Sequence, residues 1–264
     1  MENFQIIQPS LCLAPYVKQY WFLRTADNPS FRQRIIATGF INLIFHRADN
    51  MFSLTKNENQ PEAFISGQST VYSDLMQTGR VDMISVVFTP HGARSFFKMP
   101  ISELYKEEIS IADLNDKELL DLQDRLFETP DNYQAARLIE SFLLSRLYIS
   151  KEHNQARISA VIKAINAGQM NIENLAAISC LSYKQFKRIF FEYIGTNPKD
   201  FLRIIRFQKA LYILQNYPDI SLSQLAFESG YYDQPHLIKE FKSLSGYTPR
   251  EYINTCAPYS DYFS

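Results

Sequence analysis

The chain has 264 residues, enough for two domains with separate cores, and its 46% hydrophobic and 21% charged content is that of an ordinary globular protein rather than a disordered one. No apolar run approaches the roughly 18 residues needed to cross a membrane, and the start MENFQIIQPSL lacks a basic segment followed by an apolar one, so a cytoplasmic protein without a membrane partner is expected. The net charge of −1 hides a split: residues 157 to 253 hold 12 Lys+Arg against 8 Asp+Glu, whereas residues 1 to 156 hold 15 against 19. Cys12, Cys180 and Cys256 are too few and too far apart to define a disulfide framework or a zinc ligand set, and a reducing compartment fits them.

In chain order, Tyr16 to Arg24, Gly39 to Phe45, Met51 to Thr55, Ala63 to Gly67 and Met83 to Thr89 are short runs of β-branched and aromatic residues. Turn-forming clusters such as ADNPS, RADN and KNENQPE separate them, a pattern that predicts a small antiparallel sheet or barrel. His91 to Phe97 reads as a short helix ended before Pro100. Asp116 to Phe127 reads as an amphipathic helix started by Asn115 or Asp116. Asn132 to Tyr148 is a further helix whose apolar positions, Leu138, Ile139, Phe142, Leu143, Leu144 and Leu147, cover more than half its circumference. That breadth calls for burial inside the monomer or for a dimer partner. The polar stretch Ser150 to Arg157 reads as a linker.

The histidines His46, His91, His153 and His236 include no pair at helical ligand spacing, so no metal is expected. No P-loop, GxGxxG or Ser/His/Asp order is present, so neither a cofactor nor catalysis is expected. Trp21, Phe40, Phe45 and Phe64 are candidates to line a small-molecule pocket, with plain core as the competing explanation.

The carboxy-terminal third repeats itself. Leu175 and Ala176 align with Leu225 and Ala226 at an offset of fifty; Phe186/Leu237, Phe190/Phe241, Gly195/Gly246 and Pro198/Pro249 follow at fifty-one. Each copy predicts a helix (Ile172 to Ser179; Leu222 to Ser229), a tight turn, and a second helix capped by Ser182 or Asp233, which is the helix-turn-helix layout. Gly230 suits the positive φ of the second turn, whereas Cys180 in the first turn should be strained. Helical spacing puts Phe186, Ile189, Phe190 and Tyr193 inward and Lys184, Lys187, Arg188 and Phe191 outward. In copy two Leu237, Phe241 and Leu244 face in, and Pro235, Ile238, Lys239 and Lys242 face out. A cationic helix of this width fits the major groove, where Lys and Arg reach guanine and apolar groups touch thymine methyls. Between the copies, Pro198 to Asn216 is a nineteen-residue helix of about 28 Å, close to the ~34 Å between successive major grooves on one face of B-DNA. Because the two outward stripes differ, the site read by one monomer should be non-palindromic.

These residues closely resemble the DNA-binding domain of the AraC/XylS family of bacterial transcription regulators. The resemblance rests on LA, a turn and a capped helix ending F-x-x-x-x-G-x-x-P in each half, on RFQKALYIL, and on ISLSQLAFESGYYDQPHLIKEFK with GYTPREY. It implies base contacts from Lys184, Gln185, Lys187 and Arg188 in the first reading helix and from Gln234, His236, Ile238 and Lys239 in the second. Pro235 stands where the family commonly has a small hydroxyl residue. It further implies double-stranded DNA and RNA polymerase as partners, with a small-molecule effector or a homodimer working through the first half. PYVKQYWFLR, GFINLIF, FISGQ and VVFTPHGARSFFKMPISELYKEEISIADL are similar to a companion domain of the family, although TGFINL replaces its Pro-Asp-Gly turn.

The expected fold is therefore α+β. A small β-rich, cupin-like or related domain with trailing helices spans 1–150, a linker 151–157, and an all-α domain of two helix-turn-helix units 158–256. The expected function is sequence-specific transcription regulation. The alternative is a DNA-binding domain fused to an enzymatic or DNA-repair module, for which Cys12 in SLCLAP offers neither a metal nor a transfer motif.

Overall fold

A computed structural model describes residues 3–25, 32–147 and 153–255. Tyr148, the first part of the expected linker and Cys256 lie outside the described residues. Ten strands among the described residues form two antiparallel sheets. The larger runs β1 (Asn3–Ile7), β2 (Val17–Thr25), β9 (Val81–Phe88), β4 (Ile41–His46), β7 (Ala63–Ser66), β10 (Glu108–Ser110). The smaller runs β3 (Arg32–Ile35), β8 (Ser73–Gln77), β5 (Met51–Ser53), β6 (Glu58–Asn59).

The five expected strands are β2, β4, β5, β7 and β9. Sequence reading missed the other five because they are short, edge-placed or polar: RQRI and SDLMQ pair with each other with little apolar alternation to announce them. Every residue of β4 is buried, and its sequence shows no alternation, because the large sheet is covered on both faces. On one face Ile41, Leu43 and Phe45 join Tyr20, Phe22, Ile84, Val86 and Phe88 in a core closed by α1 (Lys117–Phe127) and α2 (Asn132–Arg146). On the other, Ile44 meets Trp21, Phe64, Met83 and Val87 beneath Met51 and Leu75 of the small sheet.

Asp116 caps α1, accepting from the Leu119 amide at 3.1 Å. Arg146, near the end of α2, pairs with Asp116 and with Glu118, and its hydrogen bonds hold the Asp116 carboxyl below the usual carboxylate range. Ala135, Ala136, Ile139 and Leu143 of α2 are buried, Leu138 and Phe142 half-buried, and Leu144 exposed, so most of its broad apolar surface is used within the monomer. Two expectations change here. His91 to Phe97 contains only a one-turn 3₁₀ helix at Ala93–Ser95, since Phe96 and Phe97 are pulled into the core against Phe88. The polar linker is helical from His153: α3 (His153–Asn166) buries Ile158, Val161, Ile162 and Ile165, and its polar first turn had hidden it.

The helical domain holds two small cores. Helices α3, α4 (Ile172–Ile178) and α5 (Tyr183–Ile194) close one around Phe186, Phe190 and Phe201. Helices α7 (Leu222–Ser229), α8 (Gln234–Ser245) and α9 (Pro249–Thr255) close the other around Phe207, Leu237 and Phe241. The long helix α6 (Pro198–Asn216) contributes to both, Phe201 and Leu202 to the first and Ile204 to Leu214 to the second. Its start is fixed by Pro198 in the first turn and by the Asn197 side chain, which accepts from the Asp200 amide at 3.0 Å.

Candidate nucleic-acid interface

The second helix of each unit is built from local signals. Ser182 and Gln185 make a reciprocal capping box at the start of α5, and Gly195 ends it at φ +81°. Asp233 accepts from the His236 amide at 2.8 Å at the start of α8, and Gly246 ends it at φ +77°. The intervening turns differ as expected: Gly230 sits at φ +79°, while Cys180 occupies the left-handed region at φ +54°, where a side chain is crowded.

On α5 the inward residues Phe186, Ile189, Phe190 and Tyr193 are all buried, and Lys184, Gln185, Lys187 and Arg188 are all exposed. None of the three cations has a carboxylate partner within 4.0 Å among the described residues. The Lys187 ammonium lies 5.5 Å from the ring of Tyr183, itself half exposed at the helix start. Gln185 is already engaged, its Oε1 accepting from the Ser182 amide at 3.2 Å and the Ser182 hydroxyl at 2.9 Å, which leaves its NH₂ to reach outward. Phe191 departs from the outward stripe: its ring meets Tyr105 edge-on at 5.6 Å, so it packs on the amino-terminal domain instead.

The second helix is less open. Lys239, Lys242 and Pro235 are exposed, Gln234, His236 and Ile238 partly covered. The Gln234 carbonyl accepts from the Ser223 hydroxyl at 3.3 Å. The His236 ring stands edge-on to Tyr231 at 5.3 Å, and its Nε2 lies 3.6 Å from Glu240. Glu240 is the residue that sequence reading missed. It takes a 2.8 Å bond from Arg203 and a 3.5 Å one from Arg206, tying α8 to α6, and burial together with this carboxylate raises the Tyr231 phenol. Its signal was present in the sequence: an acid four residues after His236 on an otherwise basic helix. Tyr232, fully outward beside the start of α8, was also passed over.

The proposed pocket residues divide. Trp21 and Phe64 lie in the layer between the sheets, with Phe40 at its edge, whereas Phe45 points into the helix-covered core on the opposite face of β4. His46 shares the inter-sheet layer and stacks on Phe64 at 5.9 Å. Burial pushes it down to about 4; the Gln60 amide beside it pulls weakly the other way without forming a well-aligned bond to either ring nitrogen.

Two capped second helices, each after a short helix and a tight turn and joined by one long helix, define a double helix-turn-helix protein. Residues 175–255 match a family model described as a helix-turn-helix domain, and residues 5–110 match a domain of unknown function (DUF6597). The carboxy-terminal part of the chain is an AraC-type helix-turn-helix domain. An uncharacterized HTH-type transcriptional regulator of Haemophilus influenzae is 30% identical over 155 residues, which are 58% of this chain and 51% of that protein. The Msm operon regulatory protein of Streptococcus mutans is 24% identical over 168 residues, 62% of this chain and 58% of its own length. The chain thus spans a little over half the length of these curated relatives. Among solved structures, ToxT from Vibrio cholerae is similar at TM-score 0.47 and 11% identity, over 88% of this chain and 98% of that one.

Proposed function

We propose that the protein is a sequence-specific DNA-binding transcription regulator that lays α5 and α8 into adjacent major grooves of one duplex. The observation that carries this reading is the exposed cationic face of α5, where Lys184, Lys187 and Arg188 stand without carboxylate partners among the described residues at the outer side of a helix-turn-helix. Lys and Arg so placed read guanine or hold phosphate. On α8, Ile238 suits a thymine methyl and Lys239 a base or a phosphate, while Gln234 and His236 must first leave Ser223, Tyr231 and Glu240. Selection from a random duplex pool tests the proposal. An asymmetric motif of two parts about one helical turn apart is expected, with affinity falling with salt at a log–log slope of about −0.9 per neutralised phosphate. No enriched motif, or binding indifferent to salt, sinks it.

Control by a small molecule, or by pairing of two chains, belongs to the amino-terminal domain in this reading, and RNA polymerase is the downstream partner. A thermal-shift screen of metabolites addresses the first of these, since ligand at ~100 times its Kd stabilises the fold by about 2.7 kcal/mol.

A further inference from the structure

The two glycines that end the reading helices are equivalent in the repeat, Gly195 and Gly246, and both lie against the amino-terminal domain. A Cβ on Gly195 would stand 3.0 Å from the Ile101 carbonyl oxygen and 3.0 Å from its Cγ2. A Cβ on Gly246 would collide with the Arg34 guanidinium and lie 2.8 Å from the Tyr72 ring. Each reading helix is therefore held at the same point of its architecture by a different patch of the other domain. At α5 the grip is Ile101 with the Tyr105–Phe191 contact.

At α8 the grip is a single arginine. Arg34 of β3 forks onto Asp74 of β8, Nε to Oδ1 at 2.6 Å and Nη2 to Oδ2 at 2.8 Å. With its plane fixed by that fork, the guanidinium is flanked by two rings, Tyr72 at 4.2 Å and Tyr247 at 4.4 Å, and donates to the Ser245 carbonyl at 3.4 Å. Tyr72 belongs to the amino-terminal domain; Ser245, Gly246 and Tyr247 are the end of α8. The carboxylate bonds that hold the fork also raise the Arg34 pKa, so the clamp stays charged at any physiological pH. The segment after Arg34 continues the contact: Ile36 and Ala37 are part of the second unit's core, the Ala37 carbonyl accepts from Gln208 of α6 at 2.6 Å, and Gly39 lies against Ile204.

Inside the helical domain, α6 is the element shared by both cores, and one helix bridging two small cores can bend. We propose that Arg34 is a positioning residue for DNA recognition: seated in the amino-terminal domain, it fixes the end of α8 while Ile101 and Tyr105 fix the end of α5, so that this domain sets the spacing and angle between the two reading helices. A guanidinium is suited to this because its planar fork binds a carboxylate and stacks on rings at once, which an ammonium cannot do.

The inference rests on the reading of α5 and α8 as the DNA-contacting helices, and the test separates the two. Full-length protein is titrated with duplexes carrying both halves of the selected motif at the selected spacing and at one base pair more or less, and with each half alone. For the wild type, a change of one base pair should weaken binding sharply. In Arg34→Ala that penalty should shrink by roughly tenfold as preorganisation is lost, with binding to each half alone unchanged. Arg34→Lys should behave like Arg34→Ala. A folded Arg34→Ala protein that keeps the wild-type spacing penalty, or an Arg34→Lys protein indistinguishable from wild type, overturns the proposal. Should Arg34→Ala fail to fold, Tyr72→Ala removes one flanking ring and is judged by the same criteria. Amide hydrogen exchange needs no DNA: Gly246 and Tyr247 should exchange faster in Arg34→Ala while Gly195 stays as it was. Equal exchange at Gly246 in mutant and wild type refutes the clamp, whereas failure of the wild type to select any motif refutes the DNA reading alone.

Discussion

The two helix-turn-helix units share a plan and differ in how much of it they keep to themselves. The first closes its core with its own helices and the start of α6, and the outward face of its second helix is open and cationic. The second takes Ile36 and Ala37 from the amino-terminal domain into its core, meets Arg34 at the end of α8, and has Gln234 and His236 partly occupied by Ser223, Tyr231 and Glu240. A duplicated sequence motif thus gives one unit whose core is closed by helices alone and one whose core includes residues of the amino-terminal domain, although that domain holds the end of the second helix in both.

The largest perturbation separates the cores. Phe190 and Phe241 are equivalent and fully buried, so truncation to Ala should cost about 3 to 5 kcal/mol in either case. Exchange protection is expected to collapse in α3–α5 for Phe190→Ala, but in α7–α9 and at Ile36–Ala37 of the amino-terminal domain for Phe241→Ala. Identical patterns would break the comparison.

Acid should act through the domain on which the second unit rests. The folded pKa of His46 is depressed to about 4 against an unfolded value of 6.5, so the unfolded chain binds the extra proton between these values. Stability is full above pH 6.5 and falls as pH drops toward 4, by up to about 3 kcal/mol. Urea titrations across this window should show the loss, and His46→Gln should flatten it. A wild-type profile with no slope there contradicts the assignment.

At the reading faces the effects are smaller and unequal. Arg188→Ala should weaken binding by roughly 1 to 3 kcal/mol if Arg188 reads a base, whereas His236→Ala, which first releases contacts to Tyr231 and Glu240, should cost less; titration of both on the selected duplex ranks them. Smallest is the cap: Ser182→Ala loses a reciprocal box and Asp233→Ala a single acceptor, each about 1 kcal/mol in thermal denaturation.

Much of this was legible beforehand because it is local. Caps at Ser182, Asp233 and Asp116, the bounds of α6, the positive φ at Cys180 and Gly230, and the inward stripes of α5 and α8 follow from spacing and from side-chain chemistry within a few residues. Strands β3 and β8 escaped because RQRI and SDLMQ acquire their meaning from each other and from the domain they touch, and α3 escaped because its first turn is polar.

The sequence alone determined that the helix-turn-helix region holds two capped second helices on a nineteen-residue spacer, since periodicity and caps are short-range properties. Only the tertiary structure decided that Phe191 turns to Tyr105 rather than outward, that Phe45 and Phe64 face opposite layers, and that Arg34, 211 residues before Ser245, meets the end of α8. Contacts between residues so far apart in the chain leave no periodic trace in it. They are fixed by how the surfaces of separate cores fit together, and there the equivalence of the two repeats ends.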